Sequence, residues 1–181
     1  MDPLELLRRY YDPRSQSYKI LLDHSRLVAR KALEIARLKT EKNPDLKFIR
    51  EAALLHDIGI FRTDAPDIGC TGDEPYIRHG LLGSEILEGE NLPRHAKVSL
   101  THTNLCREDI IKAELPLPHK DFLPQTVEEE IISLADRFYS KNPQDVYREY
   151  TIEEIRNRMR NFKNDKAEVF ENLCRKYKLV G

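Results

Sequence analysis

Glycine is scarce in this chain, seven in 181 residues, and no stretch of useful length alternates apolar with polar residues. Both deficits weigh against strands, while the abundance of Leu, Ile, Ala, Glu, Lys and Arg predicts an all-α fold. Cysteine is sparse too: Cys70, Cys106 and Cys174 are odd in number, far apart and without a CxxC pair. That excludes a disulfide scaffold and a zinc-thiolate site and points to a reducing compartment. Charge of one sign is lacking, since 30 Lys+Arg offset 31 Asp+Glu for a formal charge of −1. No overall basic field marks nucleic acid or an acidic membrane as a partner. The first residues, MDPLELLRRYYDPRSQ, mix acids and bases and hold no long apolar stretch. They read as neither a signal peptide nor a membrane span, so a cytoplasmic protein without a membrane partner is expected. Repeats and low-complexity tracts are absent, and the length suits a single domain over 1–181.

What is present is helical periodicity. Residues 16 to 40 carry Ile20, Leu21, Leu27, Val28, Ala32, Ile35 and Ala36 on one stripe, with His24 on it and Asn43-Pro44 as the break that follows. A second helix is expected from Asp45 to Ile58, with Asp45 as N-cap, Phe48, Ile49, Ala52 and Leu55 buried, and Gly59 as the stop. From Phe61 to Arg78 the pattern dissolves, and so long a segment reads as a functional loop facing substrate. Shorter helices are expected at His79 to Glu88, Pro93 to Thr103 and Thr126 to Lys141, with the proline-rich LPLPHKDFLP before the last of these. A final helix, Thr151 to Tyr177, opens on the capping box Thr151-Ile-Glu-Glu154.

The stretch EAALLHDIGIF, residues 51 to 61, sets His56 and Asp57 at the apolar end of a helix, where each costs free energy without a partner. They share this placement with His24, His79, His102 and Asp136, each on an apolar face or at a helix end. Imidazole and carboxylate without thiolate suit iron, manganese or another first-row divalent metal, which satisfies what burial penalises. Adjacent residues on a regular helix diverge by about 100°, so His56 and Asp57 converge on one ion only if the helix ends beside them. His95, seven residues before His102, is read as a neighbour of a ligand or an ordinary polar residue, and His119 as solvent-exposed. Asp64, Asp67 and Asp73 lack the EF-hand spacing and are expected to be solvated loop acids.

The segments LLHDIG (54–59) and LADRF (134–138), with His24 upstream, resemble the HD-domain metal-dependent phosphohydrolases, specifically their HDIG-type members, over about residues 16–142. The resemblance implies an HD helical bundle, here with an additional C-terminal helix (151–177), and a first metal on His24, His56, Asp57 and Asp136. The segments HGLLGSEIL and LTHTN are similar to those of the dinuclear branch, which includes bacterial diadenosine tetraphosphate hydrolases. They imply His79 and His102 as ligands of a second metal bridged by Asp57. Thr103 stands where cyclic-dinucleotide phosphodiesterases of the HD-GYP type have a second consecutive histidine, and no Gly-Tyr-Pro motif occurs, so cyclic di-GMP is not the expected substrate.

The implied activity is attack of a metal-bound hydroxide on a nucleotide or small phosphate ester, with His56 and Asp57 as the catalytic pair. Two divalent metals per chain, iron or manganese, are expected, with nickel, zinc, cobalt or magnesium as substitutes in a purified sample. Arg78, Arg137 and Lys141 are the candidate substrate-binding cations, with Arg62 and Arg107 behind them, and a homo-oligomer is compatible with the sequence. The same ligands would serve a di-iron oxygenase of the HD type, and the same fold a nucleotide-binding regulator without turnover.

Overall fold

A computed structural model describes residues 1–38, 43–160 and 166–180 of the chain. The helices that begin at Pro3, Gln16, Leu46 and Val127 start where a side chain satisfies a free amide group of the first turn, whereas those that begin at His79 and Pro93 have no side-chain cap. Helix α1 (Pro3–Tyr10) is capped by Asp2, and α2 (Gln16–Arg37) by Ser15. In α3 (Leu46–Leu55) the Asp45 carboxylate accepts from Phe48 N at 3.0 Å, as the sequence predicts. Helices α4 (His79–Gly89), α5 (Pro93–Thr101), α6 (Arg107–Lys112) and α7 (Val127–Asp136) follow, then α8 (Ile152–Arg160) and α9 (Lys166–Lys176). Among the described residues the fold is all-α apart from one pair of two-residue strands and two isolated bridges. None of the described helices is long and apolar enough to cross a membrane.

Several boundaries differ from those expected. Helix α2 ends at Arg37, and expected positions 39 and 40 lie outside the described residues. Helix α3 ends at Leu55, not Ile58, because Asp57 turns out of the helical region (φ −106°, ψ 14°) into a 3-10 turn over Ile58–Arg62. Gly59 is therefore no helix stop. A Cβ there would lie 2.4 Å from both Gly83 N and His79 O, so its bare Cα lets this turn seat directly on α4. Helices α5 and α7 end at Thr101 and Asp136, short of Thr103 and Lys141. After α7 the chain tightens into i+3 bonds, Phe138 N to Ala135 O and Tyr139 N to Asp136 O, which send Phe138 and Tyr139 into the core. The expected helix over 151–177 is two helices, with 161–165 outside the described residues. Ile155 and Met159 of α8 share one buried cluster with Phe170, Leu173 and Cys174 of α9, which one straight rod some 40 Å long could not bring together. The capping box is present, with Glu154 N donating to Thr151 Oγ1 and Thr151 N to Glu154 Oε2.

Two large apolar clusters make the core. One joins the C-terminal half of α2 (Val28, Ala32, Ile35) to α3, α7 and the last two helices; the other joins Ile20 and Leu21 to α1, Leu55, Ile58 and Ile60. His24 sits on α2 between the residues of the two clusters, and His56 directly follows Leu54 and Leu55, one from each. The polar centre thus lies at the seam of two cores. The segment after Phe61 is not patternless: β1 (Asp64–Ala65) pairs antiparallel with β2 (Cys70–Thr71) around a 3-10 turn at Pro66–Ile68. Buried Ile68 and Cys70 pin this hairpin to the second cluster.

Candidate metal centre

His24 projects from the middle of α2, His56 caps the end of α3, and Asp57 begins the turn after it. His79 is the first residue of α4, His102 caps the end of α5, and Asp136 is the last residue of α7. These six residues from five separate stretches converge. Two groups of candidate ligands form among the described residues: His24, His56, Asp57 and Asp136, and Asp57, His79 and His102, with the ligand atoms of each group within 4.8 Å of one another. Asp57 belongs to both. Its Oδ2 lies 3.4 Å from His24 Nε2 and 3.0 Å from His56 Nε2, whereas its Oδ1 lies 3.3 Å from His79 Nε2 and 3.4 Å from His102 Nε2. Asp136 Oδ1 completes the first group, 2.9 Å from His24 Nε2 and 3.3 Å from His56 Nε2. Ligand atoms about 2.1 Å from one metal and at right angles to each other stand about 3 Å apart, so these spacings match the edges of a coordination shell.

The orientation of the rings is fixed from behind. Nδ1–H of His56, His79 and His102 donates to Ala53 O, Tyr76 O and Ser99 O respectively, each 2.7 Å away and three residues earlier. A ring that donates through Nδ1 presents the Nε2 lone pair forward, as a metal ligand must. Ser99 reinforces the arrangement, because its hydroxyl donates to His56 O at 2.8 Å and thereby ties α5 to the end of α3. Tyr76 stacks on the His79 ring with centroids 4.7 Å apart.

Asp57 Oδ1 and His56 Nε2 are buried without a well-formed hydrogen bond, and Asp57 Oδ2 faces the Lys141 ammonium at 2.6 Å. Groups packed this closely without hydrogen bonds are satisfied by a cation, and the donor set of imidazole nitrogen and carboxylate oxygen fits a divalent metal. In the metal-free protein, protons do part of this work. Burial disfavours a charged His56, but Asp57 and Asp136 outweigh it and push its pKa up to about 10. His79, where burial dominates, is pushed down to about 3. Asp57 and Asp136 are held well below the usual carboxylate range: burial opposes their ionisation, but His56 and Lys141 overcome it at Asp57, and Lys141 and His24 at Asp136.

The other sequence candidates are placed as follows. Lys141, in the loop after α7, reaches back so that Nζ is 2.6 Å from Asp57 Oδ2. It also lines an open cavity of about 660 Å³ shared with Ala65, Asp67, Ile68, Tyr76 and the segment 140–144. Arg78 pairs with Glu74 at 3.3 Å, and Arg137 is half-buried with its Nε sealed from solvent, where burial lowers its pKa while Asp136 and Cys174 oppose that; neither lines the cavity. Arg62 pairs with Glu85, and Arg107 is exposed. His95 stands at the far end of α5 from His102, packed edge-on against Phe48, and joins neither group. His119, Asp64, Asp67 and Asp73 are exposed, as expected. Sequence reasoning missed Tyr76 and Ser99. Each lies three residues before a candidate ligand histidine whose Nδ1–H it receives, a spacing that would have flagged both.

A family model for the HD domain matches residues 21–140, which include all six residues of the centre. The chain belongs to the HD-domain family. An HD fold carrying two His/Asp groups able to chelate a divalent metal is an active site of the metal-dependent phosphohydrolase type. An uncharacterized protein of Methanocaldococcus jannaschii is 34% identical over 121 residues, covering 64% of each chain. A tRNA (cytidine(56)-2'-O)-methyltransferase of Picrophilus torridus is 33% identical over 97 residues, 53% of this chain and 25% of that protein. One of the same name from Thermoplasma volcanium is 29% identical over 121 residues, 66% of this chain and 32% of that protein. The chain therefore spans under two thirds of the first relative and a third or less of the two methyltransferases. No solved structure matches it significantly.

Proposed function

We propose that this HD domain hydrolyses a small phosphate ester, nucleotides included, with one divalent metal held by His24, His56, Asp57 and Asp136 and a second by Asp57, His79 and His102. Iron or manganese is the native metal in this reading. The observation that carries it is the division of the Asp57 oxygens, one facing each histidine group. Metals bound there would activate a water and neutralise charge building on the phosphoryl oxygens.

The chain's own residues do the rest. His56 and Asp57 form the catalytic pair through the ligand atoms they present. Lys141 supports the role of phosphate contact, because it lines the open cavity while its ammonium reaches Asp57, and the neighbouring carboxylates keep it charged despite burial. Arg78, paired with Glu74, and Arg137, beside Asp136, stay outside the cavity, so of the three expected cations it is Lys141 that faces it. Tyr76, flat against His79, forms the part of the cavity wall next to that histidine.

The test is phosphate release from nucleoside monophosphates and aryl phosphate by the manganese-loaded chain without oxygen. Release that disappears in Asp57→Ala supports hydrolysis. Oxygen consumption with substrate would move the chain to the oxygenase reading, and saturable nucleotide binding without product to the regulator reading.

A further inference from the structure

We infer that the cavity beside the metal centre selects phosphate monoesters of hydroxyl-rich, ribose-like alcohols and rejects substrates bearing a second phosphoryl group, with Asp67 as the specificity-determining residue. The inference rests on the phosphohydrolase reading above and names its substrate class.

The cavity has two walls of different chemistry. One is the segment Ser140–Gln144, which supplies the Lys141 ammonium beside Asp57 and the side-chain amides of Asn142 and Gln144. Asn142 Oδ1 accepts from Gln144 N at 3.0 Å, which leaves its amide hydrogens as donors. The other is the hairpin tip Ala65, Asp67 and Ile68. Lys141 is the cationic side chain of the lining and Asp67 the carboxylate; the Lys141 ammonium lies against Asp57, and among the described residues no ion pair joins it to Asp67 on the hairpin wall. A phosphoryl group beside Asp57 would meet the Lys141 ammonium. A second one, further along, meets a carboxylate, and like charges brought together are a strong device for refusing a ligand. Sugar hydroxyls are what a fixed carboxylate binds well. A volume of about 660 Å³ accommodates a ligand of sugar phosphate or nucleoside monophosphate size.

Asp67 is exposed, but its position is fixed. Pro66 starts the 3-10 turn, Gly69 N bonds Pro66 O at 2.9 Å, and Gly69 takes φ +75° where a Cβ would press on Gln16. Gln16 Nε2 donates to Asp67 O at 3.3 Å, and Ile68 and Cys70 are buried below. The Asp67 carboxylate itself has no hydrogen bond or ion pair among the described residues. A rigid backbone presenting an unengaged acid to a cavity is a recognition element rather than a structural one.

The experiment is calorimetric binding of slowly hydrolysed thiophosphates to the manganese-loaded full chain: adenosine 5′-thiomonophosphate, its 2′,3′-dideoxy analogue, and adenosine 5′-O-(2-thiodiphosphate). The wild type is expected to bind the first at least about tenfold more tightly than either of the others. Asp67→Ala should erase both preferences, and Asp64→Ala, an exposed acid on the same hairpin outside the cavity, should leave them. Equal binding of all three by the wild type, or preferences that survive Asp67→Ala, would overturn the inference. Phosphate release from adenosine 5′-monophosphate is measured in parallel. Its absence alongside intact preferences would reject the hydrolase reading and retain the role of Asp67, whereas release without preferences would do the reverse.

Discussion

The Lys141 ammonium lies 2.6 Å from Asp57 Oδ2, the same oxygen that faces His24 and His56. A lysine in that position balances the carboxylate charge and also opens onto the cavity. Its removal should therefore weaken substrate handling without dismantling the metal site.

For Lys141→Met the expected outcome is full metal content with kcat/KM lowered about 10- to 100-fold, most of it in KM. Elemental analysis beside steady-state kinetics checks this. Metal loss in the variant would show that Lys141 holds the ligand cluster together instead.

The raised pKa of His56 has a thermodynamic consequence. Burial opposes its protonation, Asp57 and Asp136 favour it more strongly, and the folded value is about 10 against the ordinary 6.5. A folded pKa above the unfolded one gives stability that is complete below about 6.5 and is lost as pH rises through about 10. The metal-free protein should accordingly show a falling Tm across that window. A metal needs neutral His56, so binding at pH 7 should release about one proton from it, read as a dependence of the calorimetric heat on buffer ionisation enthalpy. A flat Tm from pH 6.5 to 10 with no proton release would contradict the charged His56.

Gly59 bears on the same centre from the backbone side. With a Cβ meeting Gly83 N and His79 O at 2.4 Å, Gly59→Ala forces the 3-10 turn off α4 and should destabilise the fold by about 1–3 kcal/mol or more. Because the displaced carbonyl belongs to His79, the variant should also bind less metal at the group containing His79 and His102. Urea denaturation and metal titration measure the two effects. Unchanged stability would mean that turn and helix can separate freely.

Much of this was legible in the sequence. The apolar stripes of α2 and α3 and the Asp45 cap place His24 and His56 on the faces they occupy, because periodicity and capping are local. The convergence of all six candidate ligands was expected from helix ends and family motifs together. What escaped was set by contacts between distant segments. The end of α3 at Leu55 follows from the packing of the next turn on α4, with Gly59 against Gly83. The division of the last helix follows from α8 and α9 filling one cluster. The hairpin at 64–71 stands on two backbone pairs and on Ile68 and Cys70 buried against residues far away in sequence, which leaves no periodic signal. Asp67 therefore read as a solvated acid, and its place in the cavity wall emerged only in three dimensions.

The central claim is that Asp57 divides its two oxygens between two metal sites. Its most direct test is elemental analysis of protein purified without oxygen or chelator and reconstituted with manganese, beside the His79→Ala/His102→Ala double variant and Asp57→Ala. Two ions per chain in the wild type, one in the double variant and none in Asp57→Ala is the predicted result. One ion per chain in the wild type, unchanged by loss of His79 and His102, would contradict it.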